Sequence, residues 1–306
     1  MKIIENEFNK LLNNESLVVA LGTFDGLHLG HREIIKKAKE IALHKNIKSA
    51  VLTFERPVFT FFNSDANNYL ITPKYIKNDL IKSLGIDYLF YVKLEKNFLH
   101  LNKDEFLKKL KENLSVDTLV CGYNYTFGKN AMGDTNYLKN NSNLYGLEVV
   151  VMDELKINDE KVSSSIIRDL MKNGRIKYAN ELLGYNYYLK GQVLRGKQLG
   201  AKLGFATANL SINQNLCIRN GVYITKTIVD RMEFHSVTNI GVNPTFDQRK
   251  RVLETHIFNF SGNLYDKEVK IEFLEFIRDE IKFDNVEELK KRIELDVQCV
   301  KNYFAI

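Results

Sequence analysis

Apolar runs and amphipathic stripes alternate through the first half of the chain. Leu17 to Leu21 is apolar at every position, the pattern of a strand covered on both faces. Glu33 to Leu43 follows with Ile34, Ile35, Ala38, Ile41 and Ala42 on one face of a helix. Ser49 to Phe54 predicts a second strand, and after a polar, aromatic loop reaching Asn68, Lys74 to Leu84 predicts another helix. Tyr88 to Val92 reads as extended, Lys103 to Leu114 as helical, and Thr118 to Cys121 and Leu147 to Val151 as further strands. Such alternation predicts a parallel sheet with helical crossovers.

The period then changes. A helical stretch from Ser164 to Leu183, interrupted at Gly174, stops at Gly184, where a C-terminal glycine cap belongs. Beyond it Tyr187 to Val193, Val222 to Val229, His235 to Ile240, Leu253 to Phe260 and Val269 to Phe276 alternate with period two between turn residues. Closing such strands into an antiparallel barrel hides their edges, and Val286 to Tyr303 predicts a helix packed across one end. The expected domains are residues 1–184 and 185–306.

Composition supports two globular cores: 306 residues, 44% hydrophobic and 27% charged, exclude a disordered chain. The net charge of +6 is spread along the sequence without a basic arm, so no nucleic-acid partner is expected. Cys121, Cys217 and Cys299 are odd in number and widely spaced, which argues against a disulfide framework or a zinc site and for reduced thiols in a cytoplasm. No apolar run approaches a membrane span, and the first twelve residues lack a signal-peptide core.

Candidate chemistry concentrates in short strings. Gly22-Thr23-Phe24-Asp25-Gly26-Leu27-His28-Leu29-Gly30-His31 lies where a strand gives way to a helix, whose unpaired N–H groups attract phosphate. Gly22, Gly26 and Gly30 permit a sharp turn and close approach, while His28 and His31 can donate hydrogen bonds to phosphate oxygens as charge builds at the α-phosphorus of ATP. Taken alone, the two histidines could equally cap the helix. Ser163-Ser164-Ser165-Ile166-Ile167-Arg168 offers capping hydroxyls and a forked cation suited to departing pyrophosphate, or simply a helix cap and a surface arginine.

Gly191-Gln192-Val193-Leu194-Arg195-Gly196-Lys197 matches the spacing of a Walker loop, but Gln198 replaces the required hydroxyl residue and a strand rather than a helix is expected there. A P-loop is therefore excluded. What remains is a glycine-rich loop through Gly200 and Gly204 leading to Thr207 and Asn209, which on an extended backbone point the same way and can offer neutral oxygens to magnesium. Glu254 shares a strand face with His256, Phe258 and Phe260 and is a candidate general base, or else a solvated strand-end carboxylate. Arg249, Lys250 and Arg251 read as a solvated basic loop, with a flap over the nucleotide as the alternative.

The ten-residue string resembles the signature of the nucleotidylyltransferase superfamily, whose fold is a Rossmann-like sheet. Together with the Ser163–Arg168 segment and Val120 to Gly128 followed by Gly133-Asp134, the chain is similar to bacterial bifunctional riboflavin kinase/FAD synthetases. The likeness spans nearly the whole sequence, including Gly221-Val222-Tyr223, Asn239 to Phe246 and Phe276 to Phe283. It implies an α/β nucleotidylyltransferase domain followed by an antiparallel β-barrel flavokinase domain with a C-terminal helix. It further implies ATP-dependent phosphorylation of riboflavin to FMN, then adenylylation of FMN to FAD with release of pyrophosphate.

By that resemblance Gly22, Phe24, Asp25, Gly30, Asn124, Ser164 and Ser165 bind nucleotide or flavin, and His28, His31 and Arg168 stabilise the triphosphate. Gly200 and Gly204 belong to the second nucleotide site, Thr207 and Asn209 hold Mg²⁺, and Glu254 accepts the riboflavin hydroxyl proton. The chain departs from the family at Ala206, where a proline is usual, and at Tyr185-Asn186, where Arg-Pro is usual. Freeing one backbone φ beside the metal ligands would loosen that site by about 0.4–1 kcal/mol.

Overall fold

A computed structural model describes residues 1–5, 15–62, 69–194, 205, 207–212, 215–245 and 248–306. The described residues form two compact units, dividing at Ser164/Ser165, with residues 69–71 joining the second.

In the first unit, strands β1 (Lys2–Glu5), β2 (Leu17–Leu21), β3 (Lys48–Phe54), β4 (Tyr88–Val92), β5 (Val116–Gly122) and β6 (Glu148–Met152) make a parallel sheet of order β1-β4-β3-β2-β5-β6. Helices α1 (Leu29–Lys45), α2 (Phe59–Phe62), α3 (Lys74–Ser83), α4 (Lys96–Leu99), α5 (Lys103–Leu114) and α6 (Thr135–Asn141) supply the crossovers, and the hairpin β7 (Lys156–Ile157) and β8 (Glu160–Lys161) follows. Strand β2 shows why the apolar run is unbroken. Leu17, Val19 and Leu21 enter the core that receives Phe106, Leu107 and Leu110 of α5, while Val18 and Ala20 enter the opposite core with Ile34, Ile35 and Ala38 of α1. Both faces are buried, as in covered parallel sheets. Helix α5 starts at a capping box between Asn102 and Glu105, and α1 ends at Asn46 in the left-handed region.

From Ser165 on, the second unit carries α7 (Ser164–Lys172) and α8 (Ile176–Leu183), broken at Gly174 and stopped at Gly184 (φ +73°). Gly174 carries φ +74°, and a Cβ there would lie 2.9 Å from the Phe276 ring, so conformation and packing both demand glycine. By packing, both helices group with the second unit rather than the first.

Strands β9 (Tyr188–Gln192), β10 (Thr207–Ser211), β11 (Gly221–Val229), β12 (Met232–Thr245), β13 (Gln248–Ile257) and β14 (Glu268–Arg278) form an antiparallel sheet of order β10-β13-β12-β11-β14-β9. The Leu194↔Asn209 bridge brings the edges together, giving a nearly closed barrel. Its interior mixes Tyr223, Ile240, Leu253 and Phe273 with a ladder of buried hydroxyls: Thr225 bonds Ser236 and Thr238 at 2.7 Å each, and Thr238 donates to Thr255 at 2.8 Å. Helix α9 (Val286–Phe304) packs Val300 on the outer face against Val222, Ile224 and Val237.

One expectation fails. Arg251 is buried, not solvated, donating to the carbonyls of Leu216 (2.7 Å) and Ile218 (2.6 Å) and to Asn220 Oδ1 (3.0 Å). A guanidinium can enter the interior when carbonyls saturate its fork, and burial pulls its pKa down.

Candidate functional sites

The Gly22–His31 string forms the turn from β2 into α1. Phe24 (φ +49°), Gly26 (φ +82°) and Leu27 (φ +40°) all occupy the left-handed region, a cost of about 1–2 kcal/mol for each non-glycine residue. Surrounding groups hold this strained turn in place. Thr53 Oγ1 donates to Thr23 O at 2.8 Å, Thr72 N to Asp25 Oδ1 at 3.2 Å, Gly26 N to Thr72 Oγ1 at 3.1 Å, and Ser164 Oγ to Asp25 O at 2.9 Å. Phe24 and Asp25 are therefore buried supports of the turn. Gly22 is required because a Cβ would lie 2.9 Å from the Phe24 ring.

His28 is the N-cap of α1: its Nδ1 accepts from His31 N at 3.3 Å, which places the ring proton of the neutral form on Nε2. The His28 and His31 rings stack 3.6 Å apart, and Phe24 meets His31 edge-on at 5.2 Å. A Cβ on Gly30 would press the His28 ring at 3.3 Å.

Beside this turn lies a cavity of about 610 Å³ at the carboxyl ends of β2, β3 and β5. The neighbours of β2 lead to opposite sides of the sheet order, so the cavity sits at a topological switch point, where open α/β sheets bind ligands. Gly22, Phe24, His31 and Asn124 line it, with Phe54, Phe98, Phe106, Tyr125 and Phe127. Tyr125 and Phe127 stack at 5.9 Å, and burial raises the Tyr125 hydroxyl pKa well above its usual range. Asn124 is an exposed rim residue. This aromatic lining was not foreseen; its signals are the phenylalanine at the end of β3 and the Tyr-Thr-Phe following Asn124.

Ser165 and Arg168 belong to the second unit. Ser165 is exposed on the first turn of α7, and Arg168 Nε donates to Tyr69 O at 2.7 Å.

In the barrel, register rather than sequence adjacency assembles the candidate site. Asn209 faces Glu254, Glu254 faces Asn239, Asn239 faces Val222, and Val222 faces Arg278, making one row across five strands. Thr207 pairs with His256 in the adjacent row. These side chains lie on the outer face, and a cavity of about 300 Å³ there is lined by Thr207, Asn239, Glu254, His256, Arg278 and Asp296, among others. Asn209 shares the face but is not part of the cavity wall. Glu254 is half-buried. Asp296 of α9 accepts from Arg278 Nε at 2.9 Å through Oδ1 and 3.1 Å through Oδ2, and from Nη2 at 2.6 Å, fixing the guanidinium at the cavity wall. Neither Asn239 nor this ion pair was foreseen, because only strand register reveals them. Gly200, Gly204 and Ala206 lie outside the described residues.

The side chains of Thr207 and Asn209 offer neutral oxygens on one face, a donor set that fits a hard divalent cation such as Mg²⁺. Among the described residues no cluster of three His, Cys, Asp or Glu side chains forms a metal site.

An α/β unit with a phosphate-type turn at its switch point, followed by a barrel with a carboxylate-bearing outer cavity, defines a two-site nucleotide-dependent transferase. Residues 10–166 match the FAD synthetase family and residues 183–304 the riboflavin kinase family. The bifunctional riboflavin kinase/FMN adenylyltransferase of Buchnera aphidicola subsp. Schizaphis graminum is 31% identical, with 100% of both chains covered. That of Bacillus subtilis is 36% identical over 94% of this chain and 92% of its own. The crystal structure of a macrolide-efflux protein from Streptococcus pneumoniae superposes with a TM-score of 0.86 at 26% identity, covering 99% of each chain. Among the described residues no helix is long and apolar enough to cross a membrane. The chain belongs to the bifunctional riboflavin kinase/FMN adenylyltransferase family.

Proposed function

We propose that the two activities of the family occupy the two cavities: FMN adenylyl transfer at the Gly22–His31 turn, and riboflavin phosphorylation on the outer face of the barrel. The observation that carries this reading is that each unit has its own cavity beside its own motif.

In adenylyl transfer the FMN phosphate is itself the nucleophile at the α-phosphorus of ATP, so the protein needs no base; it must position two anions and stabilise the charge that develops. The N-terminus of α1 offers N–H groups and the positive end of its dipole. His31, on the cavity wall, and His28, held by its Nδ1 bond, supply donors to the phosphates. The aromatic lining fits a flavin ring, with Gly22 and Asn124 at the edge. Ser164 holds the turn through Asp25; Ser165 and Arg168 carry the role the resemblance implies, binding nucleotide and departing pyrophosphate. The functional division runs 1–184 and 185–306, so α7 and α8 count with adenylyl transfer although they pack with the barrel.

In the kinase, Glu254 accepts the proton of the riboflavin hydroxyl as its oxygen attacks the γ-phosphorus of ATP and ADP leaves. Thr207 and Asn209 would hold Mg²⁺, which when bound neutralises charge on the transferring phosphate. Gly200 and Gly204 are proposed for the nucleotide phosphates. ATP serves both steps, riboflavin, FMN and FAD are the flavin ligands, and the cytoplasm is the proposed compartment. Riboflavin, ATP and Mg²⁺ should yield FMN and then FAD when the flavins are separated by chromatography over time; failure of either product refutes the corresponding assignment.

A further inference from the structure

The turn at Gly22–His31 rests on a cation that neither the motif nor the cavity wall contains. Lys77, on α3, is completely buried. Its Nζ donates to Thr23 O at 3.0 Å and to Phe54 O at 2.9 Å, tying the first residues of the turn to the carboxyl end of β3. Thr23 O thus accepts from both Thr53 and Lys77, while Thr23 and Phe54 themselves line the 610 Å³ cavity. The groups facing the ammonium are Asp25 from the turn, Glu55 after β3, Lys74 from its own helix and the Tyr91 ring of β4, whose centroid is 5.9 Å away.

A buried ammonium is costly unless its surroundings repay desolvation with charge-assisted bonds and an opposite charge. A methionine would fill the same volume without that cost. The residue's chemistry therefore matters to what it touches. The cation opposes the buried carboxylate of Asp25 and takes up the two carbonyls that close the turn. Without it, the buried carbonyls of Thr23 and Phe54 would lose a charge-assisted donor beneath a loop that receives polyphosphate.

We propose that Lys77 is a positioning residue for adenylyl transfer, whose ammonium fixes the Thr23–Asp25 turn against β3, so that the turn can receive an anion. This inference rests on the assignment of the Gly22–His31 turn to that reaction.

The titration gives a readout that a purely structural role does not. Burial draws the pKa of Lys77 from its ordinary 10.5 down to about 8. The folded chain releases this proton before the unfolded chain does, so the Lys77 contribution to stability rises with pH between about 8 and 10.5. FAD formation falls across the same window, because the neutral amine makes weaker bonds to the carbonyls of Thr23 and Phe54.

The experiment follows FAD formation from FMN and ATP with Mg²⁺ between about pH 7 and 9.5 for the wild type, Lys77→Met and Lys77→Gln, with riboflavin phosphorylation by the same chains as the control. We expect both variants at pH 7 to lose roughly tenfold or more in kcat/KM for FAD formation while FMN formation stays within about twofold. The wild type should lose FAD formation above about pH 8, while its urea midpoint does not fall, and neither variant should show that alkaline loss. Wild-type kcat/KM in Lys77→Gln, or an alkaline limb unchanged in both variants, would overturn the proposal. Should neither variant give a native circular dichroism spectrum, the wild type decides: FAD formation that stays level to pH 9.5 contradicts it. His31→Ala separates this inference from the reading beneath it. If His31→Ala lowers FAD formation and the Lys77 variants match the wild type, Lys77 alone is misassigned; if His31→Ala forms FAD at the wild-type rate, the turn assignment fails.

Discussion

The two cavities are built on opposite principles. In the α/β unit the proposed chemistry sits on a loop beyond the strand ends, where backbone N–H groups and a helix dipole are available, and ten consecutive residues supply most of the candidates. In the barrel the proposed chemistry sits on the outer face of regular strands, with Thr207, Asn239, Glu254 and Arg278 aligned by hydrogen-bonded register and Asp296 of α9 beside them. The loop must be forced into a strained conformation by Thr53, Thr72, Lys77 and Ser164. The strand face needs no such clamps, since the ladder itself fixes the spacing. Loop sites are therefore sensitive to their supports, and strand-face sites to the residues themselves.

The contrast can be broken by substitution. Glu254→Gln should reduce riboflavin phosphorylation by about 10²–10⁴-fold, the span of a lost general base, while FMN supplied directly is still converted to FAD. Equal loss of both conversions would join what the two units separate. Asp296→Ala would strand Arg278, whose side chain is only 12% exposed, and should cost about 3–5 kcal/mol in a thermal or urea melt. A variant melting like the wild type would remove α9 from the list of elements that shape the barrel cavity.

His31→Ala should lower FAD formation by about 10²–10³-fold and leave FMN formation unchanged, as expected for one donor to developing charge. The smallest effect concerns stability alone. Burial would raise the Asp87 pKa, but hydrogen bonds from the Ser49 hydroxyl and amide and from Lys39 outweigh it and hold the carboxylate at about 2. Its contribution is full above its ordinary value of 3.8 and disappears as pH falls toward 2, so Asp87→Asn should flatten the acid limb of the stability curve over that interval.

Legibility in the sequence follows the same division. The β2 strand and the turn after it were readable because both faces of the strand are covered and the motif is contiguous. The interruption at Gly174 and the stop at Gly184 were readable because positive φ selects glycine. Strand β1 was missed: Lys2–Glu5 is a four-residue edge strand with too few positions to show a period. Five of the six described barrel strands are readable and β10 only as an extended stretch at Thr207–Asn209, but not the row joining Asn209, Glu254, Asn239 and Arg278, because register depends on pairing between segments far apart in sequence. Arg251 and Lys77 were hidden for a different reason. Charge patterning treats cations as solvated, and only a backbone fold supplies the carbonyls that let a guanidinium or ammonium go inside. The sequence did carry a trace of Lys77, a lysine one turn before Leu80 and Ile81 on the apolar stripe of α3.

The central claim is that two independent sites share one polypeptide, and a mixing experiment tests it most directly. Glu254→Gln and His31→Ala proteins, each deficient in one step, are combined with riboflavin, ATP and Mg²⁺, and the flavins are separated over time. Independent sites require that FMN made by the His31→Ala chain be adenylylated by the Glu254→Gln chain, so FAD should accumulate after a lag. A mixture that makes no FAD, although each variant retains its own half-reaction, would contradict the account.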